Sequence, residues 1–332
     1  MSIKNVERRA KKIPGYLKLF QNGELTKRVE QLQALFSSCR LCPFQCNVDR
    51  TKGEKGRCQA SSKVKVARAI PHFGEEPVIS GSRGSGTIFF SYCNLKCCYC
   101  QNYQISHEAL GQEYSVEELA DMMLALQAKG CHNLNLVSGT HFLPLIARAL
   151  FLAAAQGLLL PVVYNTNGYE EVEVLRLLEG IVDIYLPDVK YAQDAAAVKY
   201  SAAENYTRIN LQALQEMFRQ AGYLVTDEKG MALKGLIVRH LVLPGSQSGT
   251  EQVLKSLKKQ FGTHISISLM GQYTPCYQAH RFKEISNRTS EKEYSQALKT
   301  LEALGFENGW IQQRESLDKE FFPDFTKSNT WN

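Results

Sequence analysis

The residues of this 332-residue chain that are best suited to chemistry are its ten cysteines, most of which fall in two groups. The later group occupies residues 93–100 (CNLKCCYC) and offers Cys93, Cys97 and Cys100 as ligands. Three thiolates at this spacing can bind three irons of a cubane cluster, because thiolate is the usual ligand of iron–sulfur centres. The fourth iron is then open, and the amino and carboxylate groups of one substrate could chelate it.

Two structural alternatives are a zinc knuckle and a set of reduced core cysteines. Zinc usually takes four ligands in structural sites. Cys98 is a poor fourth ligand, because its side chain points in a different direction from that of Cys97. The spacing therefore favours the cluster, and Cys98 is expected to be a small packed side chain. The isolated Cys131 and Cys276 are expected to be packed as well.

The earlier group lies in a turn-rich stretch and supplies four thiols, Cys39, Cys42, Cys46 and Cys58. Close cysteines in a reducing compartment indicate metal binding more often than free thiols or disulfides. The four resemble a small closed metal module. A structural zinc and an auxiliary iron–sulfur cluster are equally compatible with this pattern.

The elements that must position the later group begin with an apolar strand, Thr87–Tyr92, which ends just before Cys93. Further strands are predicted at Val64–Ala69, Asn133–Val137, Leu160–Tyr164, Val182–Leu186, Leu236–Leu243, His264–Met270 and Trp310–Gln312. Helical patterns separate many of them, so a parallel sheet with outer helices is expected. The predicted fold class is α/β, as a partial or full (β/α) barrel, with the cysteines at the carboxyl rim where such barrels assemble active sites.

Helix signals support this alternation. Ser115 and Glu118 have the spacing of a capping box, and helices are predicted at Glu170–Glu179, Glu251–Gln260 and Glu291–Leu304. The expected organisation is a helical and cysteine-rich module over 1–70, a barrel over 71–314 and a tail over 315–332. The aromatic residues Phe321, Phe322 and Trp331 suggest that this tail packs as an extended arm.

Several motifs in order along the chain resemble one known family. The spacing C-x3-C-x2-C, with Tyr99 before the last cysteine, is the signature of the radical S-adenosylmethionine superfamily. The segments 165–168 (NTNG), 188–190 (DVK) and 237–245 (IVRHLVLPG) resemble pyruvate formate-lyase activating enzymes, within a branch that carries extra N-terminal cysteines. The resemblance implies a [4Fe–4S] cluster and S-adenosylmethionine as cofactors. It further implies reductive cleavage to a 5′-deoxyadenosyl radical that abstracts hydrogen from a substrate.

The resemblance also suggests residues that contact the cofactor. Tyr99 and Asn167 lie in matching motifs, and Asp188 and Lys190 correspond to positions near the methionine end of the cofactor. Arg239 matches the strand arginine of the family and could form a forked pair with the cofactor carboxylate. An ordinary strand-end ion pair for Asp188 and Lys190, and a buried structural salt bridge for Arg239, are the competing interpretations.

One family segment is replaced here. Many relatives have Gly-Gly-Glu-Pro after a strand to hold the amino group of the cofactor, whereas this chain has Ser138, Gly139, Thr140 and His141. Backbone carbonyls near Ser138 and Gly139, with a hydrogen bond from Thr140, could serve instead. The segment 272–275 (QYTP) is expected at the same rim, as a pocket wall or a plain turn.

Composition excludes some classes of protein. The net charge of +6 is spread along the chain, without the basic and aromatic stripe of a nucleic-acid binder. Residues 1–12 lack the apolar core of a secretory signal, and the apolar stretch 142–164 contains Gly157 and Pro161, which favours a buried helix and strand over a membrane span. A cytoplasmic protein without membrane or nucleic-acid partners is therefore expected.

The functional prediction is a radical enzyme, with activation of a glycyl-radical enzyme as the family-level hypothesis. Modification of another protein, a peptide or a small molecule is the alternative, because fold-level likeness does not define a substrate. An iron–sulfur electron-transfer protein is a hypothesis from another class. The resemblance also implies an electron donor such as flavodoxin or ferredoxin and, for an activating enzyme, a protein substrate.

Overall fold

Strands and helices alternate along the computed structural model, which describes residues 7–9, 13–312 and 323–327. The strands are β1 (Glu7–Arg9), β2 (Val64–His72), β3 (Ser85–Phe90), β4 (Gln112–Tyr114), β5 (Leu134–Val137), β6 (Val162–Thr166), β7 (Ile184–Pro187), β8 (Val225–Asp227), β9 (Ala232–Leu241), β10 (Ser266–Met270) and β11 (Asn308–Ile311). The helices are α1 (Gly15–Gln21), α2 (Glu24–Ala34), α3 (Pro77–Ser80), α4 (Tyr103–Ser106), α5 (Val116–Ala128), α6 (Leu143–Ala155), α7 (Val172–Leu177), α8 (Asp194–Ser201), α9 (Tyr206–Ala221), α10 (Thr250–Phe261) and α11 (Glu291–Ala303).

One sheet runs through the molecule. Its parallel part has the order β3-β5-β6-β7-β9-β10-β11, while β2 pairs antiparallel with β3, β4 with β2, and β8 with β9. Within the described residues β11 pairs only with β10, so the sheet does not close. The predicted α/β architecture is therefore confirmed in its partial-barrel form.

The central strands have the continuous apolar composition expected when helices cover the sheet. All residues of β3, β5 and β7 are buried. Because parallel strands point the same way, β3, β6 and β7 end on one edge of the sheet, just before the cysteine loop, residues 167–168 and Asp188 respectively. This shared edge brings residues that are distant in sequence to one site.

The apolar stretch 142–164 forms α6 followed by β6, as the sequence predicts. Within the described residues, no helix combines the length and apolar composition needed to cross a membrane. The capping box before α5 is also confirmed, since Ser115 Oγ accepts from the backbone N–H of Glu118 and the Glu118 carboxylate accepts from that of Ser115.

The N-terminal helices are part of the main core. Tyr16 of α1 donates to the carbonyl of Leu158 at 2.9 Å, and Leu25 and Leu32 of α2 are buried against the same cluster. The helical and cysteine-rich module predicted over 1–70 also contains a short strand, because Glu7–Arg9 pairs with β8. The predicted domain boundary at residue 70 falls inside β2. Phe321, Phe322 and Trp331 lie outside the described residues.

Candidate active site

The loop that carries the three predicted cluster cysteines is held by backbone hydrogen bonds from two directions. The N–H groups of Lys96 and Cys98 donate to the carbonyls of Ser201 (3.0 Å) and Tyr200 (2.8 Å) at the end of α8. The carbonyl of Cys98 in turn accepts from the N–H of Gln278 at 2.9 Å. These contacts fix the loop as part of the rim of the sheet.

Cys93, Cys97 and Cys100 line a cavity of about 510 Å³ at the carboxyl ends of the strands. Cys98 is buried in a neighbouring aromatic cluster and does not line this cavity, so its predicted packing role is confirmed. Other predicted site residues on the cavity wall are Tyr99, Ser138, Asn167, Asp188, Lys190 and Arg239. The fold therefore brings residues 93–100 together with side chains that follow β5, β6 and β7.

The thiols are neutral in the absence of metal. Burial, together with the neighbouring thiols, raises the pKa of Cys93 and of Cys100 to about 12. Burial also raises the pKa of Cys97, although Lys190 opposes the shift. A bound metal displaces these protons, because the thiolate is the form that ligates.

The donor chemistry of this wall fits an iron–sulfur cluster. In the described part of the chain, no three Cys, His, Asp or Glu side chains are close enough together to hold a single metal ion. The three thiols instead stand around a shared volume. A cluster of several irons needs such spacing, since each thiolate binds a different iron.

Asp188 and Lys190 form an ion pair beside the cysteines. Lys190 Nζ lies 2.5 Å from Asp188 Oδ2, so both side chains lie on one face, as strand alternation predicts. Burial opposes the charge of Lys190, but Asp188 and Cys97 hold the pKa of this amine well above its usual value. The amine of Lys190 therefore stays charged next to the space that the cofactor would occupy.

The turn after β6 places Asn167 against the cysteine loop. Asn167 Nδ2 donates to Asn94 Oδ1 at 2.7 Å. Gly168 follows with φ of 74°, and a Cβ there would lie 2.3 Å from the carbonyl oxygen of Asp188. Only glycine permits this close approach. The glycine of the NTNG segment thus allows the β6 and β7 ends to meet.

Arg239 lies on the cavity wall, but carboxylates already hold its guanidinium. It donates through Nε and Nη2 to Glu76 at 2.8 and 2.7 Å, through Nη2 to Glu75, and through Nη1 to Asn165 at 3.4 Å. Burial opposes ionisation of Glu75, yet Arg239 and His72 lower the pKa of its carboxyl to about 2. The structure thus shows the buried salt bridge that was the alternative interpretation. Contact of Arg239 with the cofactor stays a prediction.

The Ser138–Thr140 segment meets the cavity only in part. Ser138, with φ of 55°, lines it, whereas Gly139 and Thr140 do not. The hydroxyl of Thr140 points away, because it donates to Glu170 at 2.8 Å and accepts from Tyr164 at 3.0 Å. A hydrogen bond from Thr140 to the cofactor therefore does not agree with its placement.

The sequence analysis missed part of the wall. His72, Glu75 and Glu76 line the cavity from the loop after β2, and the adjacent acids before Pro77 were the available signal. The predicted approach of residues 272–275 to the rim is confirmed, because Gln272, Tyr273 and Thr274 line the cavity.

The N-terminal cysteines lie on a folded loop. Its ends are paired, since Cys39 N–H donates to Val48 O at 2.9 Å and Asn47 N–H donates to Cys39 O at 3.0 Å. Cys46 Sγ accepts from the backbone N–H of Arg57 at 3.3 Å, which brings the turn that contains Cys58 to this loop. An N–H donor aimed at sulfur stabilises a ligating thiolate.

This module docks beside the cavity. The ring of Phe44 lies 5.3 Å from that of Tyr169, and Arg57 covers Phe44 at 4.1 Å while donating to the carbonyl of Ala202 at 2.8 Å. Tyr169 and Ala202 belong to the loops that also contact the later cysteines. Asn94 Nδ2, for instance, donates to the carbonyl of Tyr169 at 2.9 Å.

Comparison with known proteins agrees with this geometry. A sequence profile of the radical SAM superfamily matches residues 87–227, which include the three cavity cysteines and the Asp188–Lys190 pair. This part of the chain is therefore similar to the radical SAM superfamily.

The chain is also similar to individual proteins. It is 29% identical over 289 residues to an uncharacterised protein of Methanocaldococcus jannaschii, a match that covers 84% of this chain and 78% of that one. The [FeFe]-hydrogenase maturase HydG of Carboxydothermus hydrogenoformans aligns with a TM-score of 0.47 at 13% identity, covering 68% of this chain and 53% of HydG. Methylornithine synthase (PylB) aligns with a TM-score of 0.44 at 13% identity, covering 89% and 77%. The chain spans about half the length of the HydG chains that it matches.

Proposed function

We propose that this protein binds a [4Fe–4S] cluster through Cys93, Cys97 and Cys100 and uses it to cleave S-adenosylmethionine for hydrogen abstraction. The observation that carries the proposal is the single cavity lined by these three thiols and by the partly buried Asp188–Lys190 pair. The domain match supports the proposal, because the matched segment contains the three cysteines and both residues of the ion pair.

When bound, the cluster and S-adenosylmethionine supply reductive cleavage of a C–S bond, which gives methionine and a 5′-deoxyadenosyl radical. The chain contributes position and enclosure. Lys190 offers a cation to the carboxylate of a bound amino acid group, and Asp188 offers an anion to its amine. The carbonyl of Ser138 lies on the same wall as a further acceptor. Tyr99 and Tyr273 pack edge to face at 5.7 Å and keep water from one side.

The substrate proposal is activation of a glycyl-radical enzyme, with flavodoxin or ferredoxin as electron donor in the cytoplasm. The resemblance of residues 165–168, 188–190 and 237–245 to pyruvate formate-lyase activating enzymes supports it. Modification of another protein, a peptide or a small molecule is the alternative. A simple iron–sulfur electron carrier is disfavoured, since it needs neither a cavity of about 510 Å³ nor the Asp188–Lys190 pair.

A second metal centre at Cys39, Cys42, Cys46 and Cys58 belongs to the proposal. An auxiliary iron–sulfur cluster and a structural zinc are the two candidates for these thiols. Metal analysis of a variant with Cys93, Cys97 and Cys100 replaced by alanine tests it. Residual iron and sulfide support the cluster, zinc supports the structural ion, and absence of both contradicts a second centre.

The experiment that tests the main function is anaerobic reconstitution, reduction with dithionite, and assay of 5′-deoxyadenosine after addition of S-adenosylmethionine. Alanine at Cys93, Cys97 or Cys100 should abolish the product, because each would remove one cluster ligand. Cys98→Ala is the matched control, since Cys98 lies in the same loop outside the cavity, and this variant should keep activity. A protein that holds a full cluster yet forms no 5′-deoxyadenosine would contradict the proposal.

A further inference from the structure

Each of the three cavity thiols accepts one hydrogen bond from a neutral side chain. The donors belong to three different elements, namely the turn after β6, the end of α8 and the end of α4. The pairs are Asn167 Nδ2 to Cys93 Sγ (3.4 Å), Ser201 Oγ to Cys97 Sγ (3.0 Å) and Ser106 Oγ to Cys100 Sγ (3.2 Å). Elements far apart in sequence thus place one donor on each sulfur.

The donor to Cys97 is the end of a longer chain of hydroxyl groups. Ser201 Oγ lies 2.6 Å from the hydroxyl of Tyr191, which lies 2.7 Å from that of Tyr99. Each hydroxyl has one proton. Because Ser201 gives its proton to sulfur, it accepts from Tyr191, and Tyr191 accepts from Tyr99. The three residues are 0%, 1% and 6% exposed, so water does not compete for these bonds.

Such a chain acts on charge at the sulfur. Aligned hydroxyl groups polarise one another, and the low dielectric of a buried site strengthens the effect. Reduction adds one electron to a cluster, and part of that charge resides on the ligating thiolates. A donor at the sulfur therefore stabilises the reduced form more than the oxidised form. The expected consequence is a higher reduction potential.

We propose that Ser201, supported by Tyr191 and Tyr99, is a positioning residue that raises the reduction potential of the cluster bound at Cys93, Cys97 and Cys100. The proposal rests on the cluster assignment made above. The hydrogen bond from Ser201 makes the cluster easier to reduce by a one-electron protein donor, which is oxidised as the cluster gains its electron. Ser106 and Asn167 act in the same direction on the other two sulfurs.

The backbone of Ser201 also makes a structural contact, which does not involve its hydroxyl. Its carbonyl accepts from the N–H of Lys96, and the preceding carbonyl of Tyr200 accepts from that of Cys98. Both are backbone bonds, so they persist in Ser201→Ala. This variant removes the donor to sulfur and leaves the anchoring of the cysteine loop in place.

The test is a potentiometric titration of the reconstituted protein followed by electron paramagnetic resonance, using the signal that changes when S-adenosylmethionine is added. Ser201→Ala should lower the midpoint potential by up to about 59 mV. For one electron this corresponds to a tenfold fall in the ratio of reduced to oxidised cluster at a given potential. Tyr191→Phe should give a smaller shift in the same direction, and Ser201→Thr should keep the wild-type value.

Tyr200→Phe is the matched control. Tyr200 is buried in the same aromatic cluster, but its hydroxyl donates to the side-chain oxygen of Gln247 at 2.7 Å and not toward a thiol. No shift is expected for this variant.

An unchanged potential in Ser201→Ala with full iron and sulfide content would overturn the proposal. Should that variant lose its cluster, an unshifted Tyr191→Phe would overturn it equally. Failure of the wild-type protein to bind a cluster is a separate result, since it would contradict the proposed function itself.

Discussion

The carboxyl of Glu170 is 1% exposed behind the loop after β5, where Thr140, Tyr164 and Thr166 donate to it. Burial raises its pKa to about 7, against the opposing effect of these donors. The folded protein therefore binds a proton between about pH 4.5 and 7 that the unfolded chain has released. This group stabilises the fold fully below pH 4.5, and its contribution is lost as the pH rises through 7.

Glu170→Gln should remove this pH dependence. At about 1.4 kcal/mol per pKa unit, the wild type should lose on the order of 3 kcal/mol relative to the variant between pH 4.5 and 8. Anaerobic urea denaturation across this range measures the difference. Glu173→Gln, at an exposed position on α7, should follow the wild-type profile. Parallel profiles for wild type and Glu170→Gln would show that folding does not raise the pKa of Glu170.

At the scale of residues, chemistry that depends on spacing was predictable. The ligand spacing of Cys93, Cys97 and Cys100, and the shared face of Asp188 and Lys190, follow from the sequence. The hydrogen-bond donors to sulfur do not follow from the sequence. Ser201 is an ordinary helix residue in the sequence, and only the fold shows that α8 ends against the cysteine loop. The pairing of Arg239 with Glu75 and Glu76 also depends on the fold, since more than 160 residues separate them.

At the scale of elements, Gly168 allows the ends of β6 and β7 to meet. Gly168→Ala should strain the turn and force the new Cβ against the carbonyl of Asp188. Gly157→Ala is the matched control, since Gly157 has φ of 91° but no atom within 4 Å of an added Cβ. The control should lose only about 1–2 kcal/mol of stability, which is the cost of placing alanine in the left-handed conformation.

Thermal or urea unfolding of the two variants measures this difference. Gly168→Ala should be the less stable by at least about 1 kcal/mol, since the clash adds to the same strain. It should also bind less iron, because Asn167 moves away from Cys93. Equal stability of the two variants would show that the turn relaxes without cost.

Long periodic elements were predictable and short ones were not. The eight predicted strands all occur, with bounds shifted by a few residues. β4 and β8 have three residues each, and a strand so short forms only when a neighbouring edge pairs with it. β1 was not predicted for the same reason, since its pairing with β8 overrides a helix-like local sequence.

At the scale of the whole molecule, the open barrel leaves one side of the cavity to be covered by other parts of the chain. Residues 323–327 lie there, with Phe325 4% exposed and packed at 5.4 Å on Phe89 of β3. The N–H of Phe325 donates to Gln104 at 2.8 Å, and Pro323 lines the cavity.

Phe325→Ala should destabilise this cover by about 3–5 kcal/mol, the usual cost of truncating a buried phenylalanine. Oxygen would then reach the cluster more easily, and its visible absorbance should decay several-fold faster in air. Lys327→Ala changes a mostly exposed side chain of the same segment and should decay at the wild-type rate. Equal decay of all three proteins would show that residues 323–327 do not shield the site.

The general architecture was predictable because alternating strands and helices permit few topologies. The docking of the N-terminal module beside the cavity was not, because it depends on contacts such as Phe44 with Tyr169 and Arg57 with Ala202. Those contacts place the second cysteine group near the first, which cysteine spacing alone cannot indicate.

The proposed cluster at Cys93, Cys97 and Cys100 has one iron open to S-adenosylmethionine. The most direct measurement is electron paramagnetic resonance of the reduced protein before and after addition of S-adenosylmethionine, in a variant with Cys39, Cys42, Cys46 and Cys58 replaced by alanine. A reduced [4Fe–4S] signal whose shape changes on addition is the predicted result. A signal that is present and does not change would contradict the claim.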